Sequence, residues 1–158
     1  MCYSRSMHAL IIIAKDGFQD VEYQGTREGL EAGGYRITVA STEAGPCTGK
    51  FGGTVEAEIA LRDIDIAQFD KTAFIGGPGA HALQSDPDAL RVAVDAYRSG
   101  KPLGAICIAP TVLAKAKVLE GKRATVFETP ESLETLETYG AEYTGEDVTV
   151  DGTVVTGN

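Results

Sequence analysis

The chain has 158 residues, 43% of them hydrophobic, which suits one globular domain, residues 1–158, with its own core. Its formal net charge of −9 offers no basic face for phosphates and argues against nucleic acid as a partner. No run approaches the ~20 apolar residues of a membrane-spanning helix, and Cys2, Cys47 and Cys107, scattered without CxxC spacing, fit neither a disulfide framework nor a metal site.

Residues 1–6 read as a loose leader, with Met7 as an alternative start. The apolar stretch over residues 9–14 is too short for a signal-peptide core, so the expected compartment is the cytoplasm. Residues 8–14 form a buried strand in this reading, broken at Lys15-Asp16-Gly17. Asp20 is placed to cap a helix running to about Ala32, with Val21 and Leu30 on one side and Gly33-Gly34 at its end. Residues 35–41 alternate and predict a second strand; residues 42–53 predict a glycine-rich loop, and residues 54–59 a short edge strand. A connecting turn over residues 64–69 leads to a third core strand, 72–75, which ends in Gly76-Gly77-Pro78-Gly79.

A short helix over residues 80–83 comes next. Asp86-Pro87 then supplies an N-cap and a first-turn proline for a helix to about Tyr97. Residues 102–106 predict a fourth strand, which meets Cys107 directly; a helix follows over 110–116. A strand over 123–127, a helix over 130–139 and a hairpin across Asp151-Gly152 complete the chain. The alternation of strands and helices predicts an α/β three-layer sandwich with a mainly parallel central sheet. The sequence stops straight after a strand, where another covering helix is expected, so the domain reads as lacking a C-terminal helix.

Ala105-Ile106-Cys107-Ile108-Ala109-Pro110 places a thiol where a strand ends and a helix opens, the edge at which ligands gather in open α/β sheets. A buried structural cysteine is the other reading of the same position. Glu22, just after the first strand, falls on the same edge, as does Gly77. An ionised Glu22 beside the sulfur raises the thiol pKa; a protonated Glu22 donates a hydrogen bond to the thiolate and lowers it. The two groups then titrate as a pair, with both signs open on sequence alone. His81 lies four residues beyond Gly77, near the pocket mouth, or else is simply solvated; Thr129 and Glu128 follow the 123–127 strand, and Asp16, Gln19 and Asp20 lie on the first loop. Cys47 has no acid or base spaced around it.

Together, Ala9-Leu10-Ile11-Ile12-Ile13-Ala14 with Asp20-Val21-Glu22, Phe74-Ile75-Gly76-Gly77-Pro78-Gly79, and Gly104-Ala105-Ile106-Cys107-Ile108-Ala109-Pro110 resemble the ThiJ/PfpI superfamily, of the class I glutamine amidotransferase-like fold. Val118-Leu119-Glu120-Gly121-Lys122-Arg123-Ala124-Thr125 also fits, so the resemblance spans nearly the whole chain in order. It implies a nucleophile elbow with Cys107 as an activated cysteine and Glu22 as its protonated partner. It further implies an oxyanion-type pocket from the backbone N–H groups of Gly77 and Ile108; His81 and Thr129 are further pocket candidates by their positions in the chain alone. No metal or organic cofactor is implied, and a homodimer or higher oligomer is.

Some positions depart from the family pattern. Family peptidases carry a histidine directly after the cysteine, where this chain has Ile108. Glyoxalase-like members have one after the strand that ends here at Phe127, where this chain has Glu128-Thr129-Pro130; Gln19 stands where several relatives carry a second acid. Three functions follow: a glyoxalase- or deglycase-like hydrolase of small reactive carbonyls, a redox-responsive or chaperone-like stress protein whose partner is an oxidant, and, lowest, an intracellular cysteine peptidase.

Overall fold

The computed structural model describes residues 6–158, so most of the expected leader and Cys2 lie outside the described residues. In chain order the strands are β1 (His8–Ile12), β2 (Asp16–Phe18), β3 (Arg36–Ser41), β4 (Gly45–Gly49), β5 (Thr54–Ala57), β6 (Ile59–Ala60), β7 (Lys71–Phe74), β8 (Leu103–Ile106), β9 (Arg123–Ala124), β10 (Glu142–Tyr143), β11 (Val148–Asp151) and β12 (Val154–Gly157). The helices are α1 (Asp20–Ala32), α2 (Ala80–Leu83), α3 (Pro87–Arg98), α4 (Pro110–Lys115) and α5 (Pro130–Thr138).

Seven strands form the central sheet in the order β11-β12-β8-β7-β1-β3-β6. Every pairing is parallel except the β11–β12 hairpin. Parallel strands are covered on both faces and so are apolar on both. Ala9 and Ile11 of β1 pack with Ile37, Val39 and Tyr23 under α1, while Leu10 and Ile12 pack with Phe74, Leu103, Val92 and Leu113 under α3 and α4. Helix α3 is anchored by small and aliphatic residues at helical spacing, Ala89, Val92, Ala93 and Ala96. No helix among the described residues is long and apolar enough to cross a membrane.

The structure corrects several local expectations. Gln19, not Asp20, caps α1: its side chain accepts from Val21 N–H at 2.8 Å. Val21 is exposed, and Tyr23 supplies the buried contact expected of it. The loop expected over residues 42–53 contains β4, which pairs antiparallel with β5 and parallel with β2 in a second, three-stranded sheet. Glycine and proline content masked β4, whose inward side chain is the fully buried Cys47. The strand expected over 123–127 is only the two-residue β9, outside the central sheet and paired with β10, because Phe127 N–H turns away to the Cys107 carbonyl at 2.7 Å. In the terminal hairpin Asp151 pairs with Val154, so Gly152-Thr153 is the two-residue turn, with Gly152 at φ +61°.

Candidate active site

The carboxyl ends of β1, β7 and β8 are neighbours in the sheet, and the chain that follows each one supplies part of a single site. After β8 comes Cys107, at φ +63°, a left-handed conformation that costs a non-glycine residue roughly 1–3 kcal/mol. Hydrogen bonds hold it there: Cys107 N–H donates to the Gly157 carbonyl at 2.9 Å, and its own carbonyl accepts from Phe127 N–H. The turn closes with Ala109 N–H on the Ile106 carbonyl at 3.0 Å, and Pro110 starts α4. The thiol is thereby aimed outward at the sheet edge, half-buried.

After β7 the two glycines are required by close approach. A Cβ on Gly76 would lie 2.7 Å from the Cys107 Cβ and 2.9 Å from Glu22 Oε1. A Cβ on Gly77, at φ +105°, would lie 2.5 Å from both the Gln19 nitrogen and the Gly17 oxygen. After β1, α1 brings Glu22 in its first turn; Oε1 accepts from Gly76 N–H at 3.0 Å, and the carboxyl faces the Cys107 thiol closely enough for each to shift the other's titration. Backbone N–H groups of Gly77 and Ile108 also reach the thiol.

The electrostatics assign directions to both groups. Burial raises the Glu22 pKa, against the pull of the Gly76 N–H, the Cys107 hydrogen bond and the Lys50 charge. Burial also pushes the Cys107 thiol up, ionised Glu22 pushes it further, and the Gly77 and Ile108 N–H groups pull the other way. Burial thus shifts the acid of the pair toward its protonated form, and the thiol beside an ionised Glu22 keeps its proton longer.

Glu22, Gly77, His81, Cys107, Ile108 and Thr129 all line one cavity of about 410 Å³. His81 lies on its wall, 3.3 Å from Gln84 Nε2 through Nδ1, and Thr129 caps α5 by accepting from Ser132 N–H. Gln19 lines the cavity as well; Asp16 and Glu128 do not, and the Asp20 carboxylate turns to the β4–β5 loop. A larger cleft of about 560 Å³, between α1 and β5, is walled by Arg27, Glu28, Glu31, Glu56 and Glu58 and contains none of these site residues. Pro78 completes the cavity with Lys50, Phe127 and Asn158, and these last three escape sequence reasoning. Lys50 was hidden because β4 was not legible, and only the β4–β5 turn carries it to Glu22. Among the described residues no three His, Cys, Asp or Glu side chains converge on a metal position.

A sequence model of the DJ-1/PfpI family matches residues 7–158. A protein of Methanocaldococcus jannaschii is 33% identical over 153 residues, covering 96% of this chain and 75% of its own length. The deglycase TK1284 of Thermococcus kodakarensis is 31% identical over 143 residues, covering 90% of this chain and 85% of its own. The crystal structure of a ThiJ/PfpI domain protein from Brachyspira murdochii superposes with a TM-score of 0.92 at 28% identity, covering 98% of this chain and 88% of that one.

Proposed function

The chain belongs to the DJ-1/PfpI family, and on that premise we propose that it is a cofactor-independent, cysteine-dependent hydrolase of small reactive carbonyls. The observation that carries this reading is the Cys107 thiol set against the Glu22 carboxyl and two backbone N–H groups within one cavity. Its size, about 410 Å³, suits a small molecule. The deglycase name of the Thermococcus relative points to the same chemistry.

In this reading Glu22, made more basic by burial, takes the thiol proton as Cys107 sulfur attacks an aldehyde carbon. The carbonyl electron pair moves to oxygen, where the Gly77 and Ile108 N–H groups hold the alkoxide. Glu22 then returns the proton to that oxygen, giving a hemithioacetal. With a 2-oxoaldehyde, Glu22 next carries the proton of the former aldehyde carbon to the ketone oxygen, giving an enediol, and then carries that carbon's hydroxyl proton to the neighbouring carbon, giving a thioester. Water cleaves the thioester to a 2-hydroxy acid and restores the thiol. One water is added overall, with no external oxidant.

The upward push on the thiol ranks a peroxide sensor without turnover second, since the thiolate is the form that oxidises readily. A peptidase ranks third: His8 bonds Thr38 and His81 contacts Gln84, and neither histidine is hydrogen-bonded to Cys107. Lactate formation from methylglyoxal tests the proposal. Wild type is expected to form it and Cys107→Ser to form none; a wild-type protein that forms none sinks the reading.

A further inference from the structure

We propose that Lys50 makes the Cys107 cavity selective for carbonyl compounds that carry a carboxylate. The inference rests on the reading of Cys107 as a nucleophile and adds the class of substrate. Lys50 is the one lysine or arginine lining that cavity among the described residues. It follows directly on β4, and its backbone N–H donates to the Phe18 carbonyl at 2.7 Å. The next residues are clamped by Asp20, whose two carboxylate oxygens accept from Phe51 N–H at 2.8 Å and Gly53 N–H at 2.9 Å. Gly49 and Gly53 leave room for that carboxylate, since a Cβ on either would run into it. The lysine therefore stands on a fixed turn rather than a loose one, and Asp20 is its positioning residue.

Among the described residues no carboxylate ion-pairs with Lys50; its ammonium lies 5.3 Å from the centre of the Phe51 ring. Its charge reaches the site, because it is one of the groups that pull on Glu22. A chain of net charge −9 repels anions in general, whereas in this cavity the Lys50 cation offsets the Glu22 carboxyl. A lysine ammonium is a flexible point charge suited to a single carboxylate. Lining the same cavity as Cys107, it would draw a carboxylate in and leave the carbonyl end toward the sulfur.

Two alkylating reagents of nearly equal size read this directly: iodoacetate carries a carboxylate and iodoacetamide does not. In both, the sulfur–carbon bond forms as iodide leaves. The quantity measured is the ratio of the two rates at Cys107, followed by peptide mass analysis and compared with the ratio for a neutral cysteine peptide. Any change in thiol reactivity cancels in the ratio. The folded protein is expected to favour iodoacetate by about fivefold over the peptide, the order an exposed charge pair supplies. Lys50→Gln should bring the ratio down to the peptide value or below, and Lys50→Arg should keep it. Salt near 0.5 M should lower it in the wild type, since screening at about that strength acts within a few ångströms. A wild-type ratio at or below the peptide value, or one that Lys50→Gln leaves unchanged, overturns the role of Lys50 while Cys107 stays a nucleophile. Failure of Cys107 to react with either reagent overturns both readings.

Discussion

The Glu22 carboxyl faces the Cys107 thiol at the edge of the sheet while its Oε1 takes the Gly76 N–H at 3.0 Å. An amide can take that same N–H and keep the geometry without the charge. Glu22→Gln removes one of the two main causes that push the thiol up, so Cys107 should be alkylated faster at neutral pH than in the wild type. Turnover should move the other way, falling ~10²–10⁴-fold with the loss of the proton carrier. Alkylation and lactate assays on the same preparation check both. Slower alkylation in the variant would mean that Glu22 acts on the sulfur chiefly as a proton donor.

The same residue gives a pH signature in stability. Burial raises the Glu22 pKa above its unfolded value, so between the two values the folded chain binds more protons than the unfolded one. Stability from this group is fully present below the unfolded carboxylate range and is lost as pH rises through the folded value. Glu22→Gln should therefore stabilise the protein above that window, with the gain vanishing below it. Urea melts of both proteins across the acid range would show this; a constant difference at every pH would place the effect elsewhere.

The mainly parallel sheet, the Cys107 corner and the Glu22–Gly77–Cys107 edge were legible because each rests on a local signal. An apolar run, a break and a glycine cluster fix where β1, β7 and β8 end, and a parallel sheet then brings those ends together. Lys50 and the clamp of Asp20 on the turn that carries it were not legible for the opposite reason. Their meeting depends on β4, a strand of glycine, proline and one buried cysteine, which lacks local strand propensity and is held by pairing with β2 and β5. The direction of the thiol shift also needed the structure, since it follows from burial depth that spacing does not reveal.

Gly77→Ala should collapse the site. The new methyl would meet Gln19 and Gly17 backbone at 2.5 Å in a φ of +105° that alanine resists. The loop between β1 and α1 would have to move, taking Glu22 with it. A loss of at least ~2 kcal/mol in urea unfolding is expected, together with slower turnover. A variant of wild-type stability would show that the loop has slack the packed contacts do not suggest.

Self-association is expected along the open side of the sheet. Val148, Val150 and Val155 share one face of the β11–β12 hairpin and are 57%, 61% and 37% exposed. β11 is also an edge strand with unpaired backbone groups. Sedimentation equilibrium should give a mass above the 16.6 kDa of one chain, and Val150→Lys should shift it toward the monomer. A wild-type monomer at all concentrations would remove the expectation.

Asp20→Asn should loosen the turn that carries Lys50 without touching the cavity wall. The Phe51 N–H is the main cause holding the Asp20 carboxyl below its ordinary pKa, with the Gly53 N–H assisting. A lowered folded-state value means that this stabilisation is present above the unfolded carboxylate range and is lost as pH falls through the folded value. In the wild type, hydrogen exchange at the Phe51 and Gly53 amides should therefore rise in acid beyond the intrinsic trend. In Asp20→Asn it should already be fast near neutral pH, because a neutral amide oxygen is a weaker acceptor than a carboxylate. If Asp20 positions Lys50, the same variant should also lower the iodoacetate preference at Cys107, and Lys50→Gln should then add little to it. Full additivity of the two substitutions would separate the clamp from the lysine.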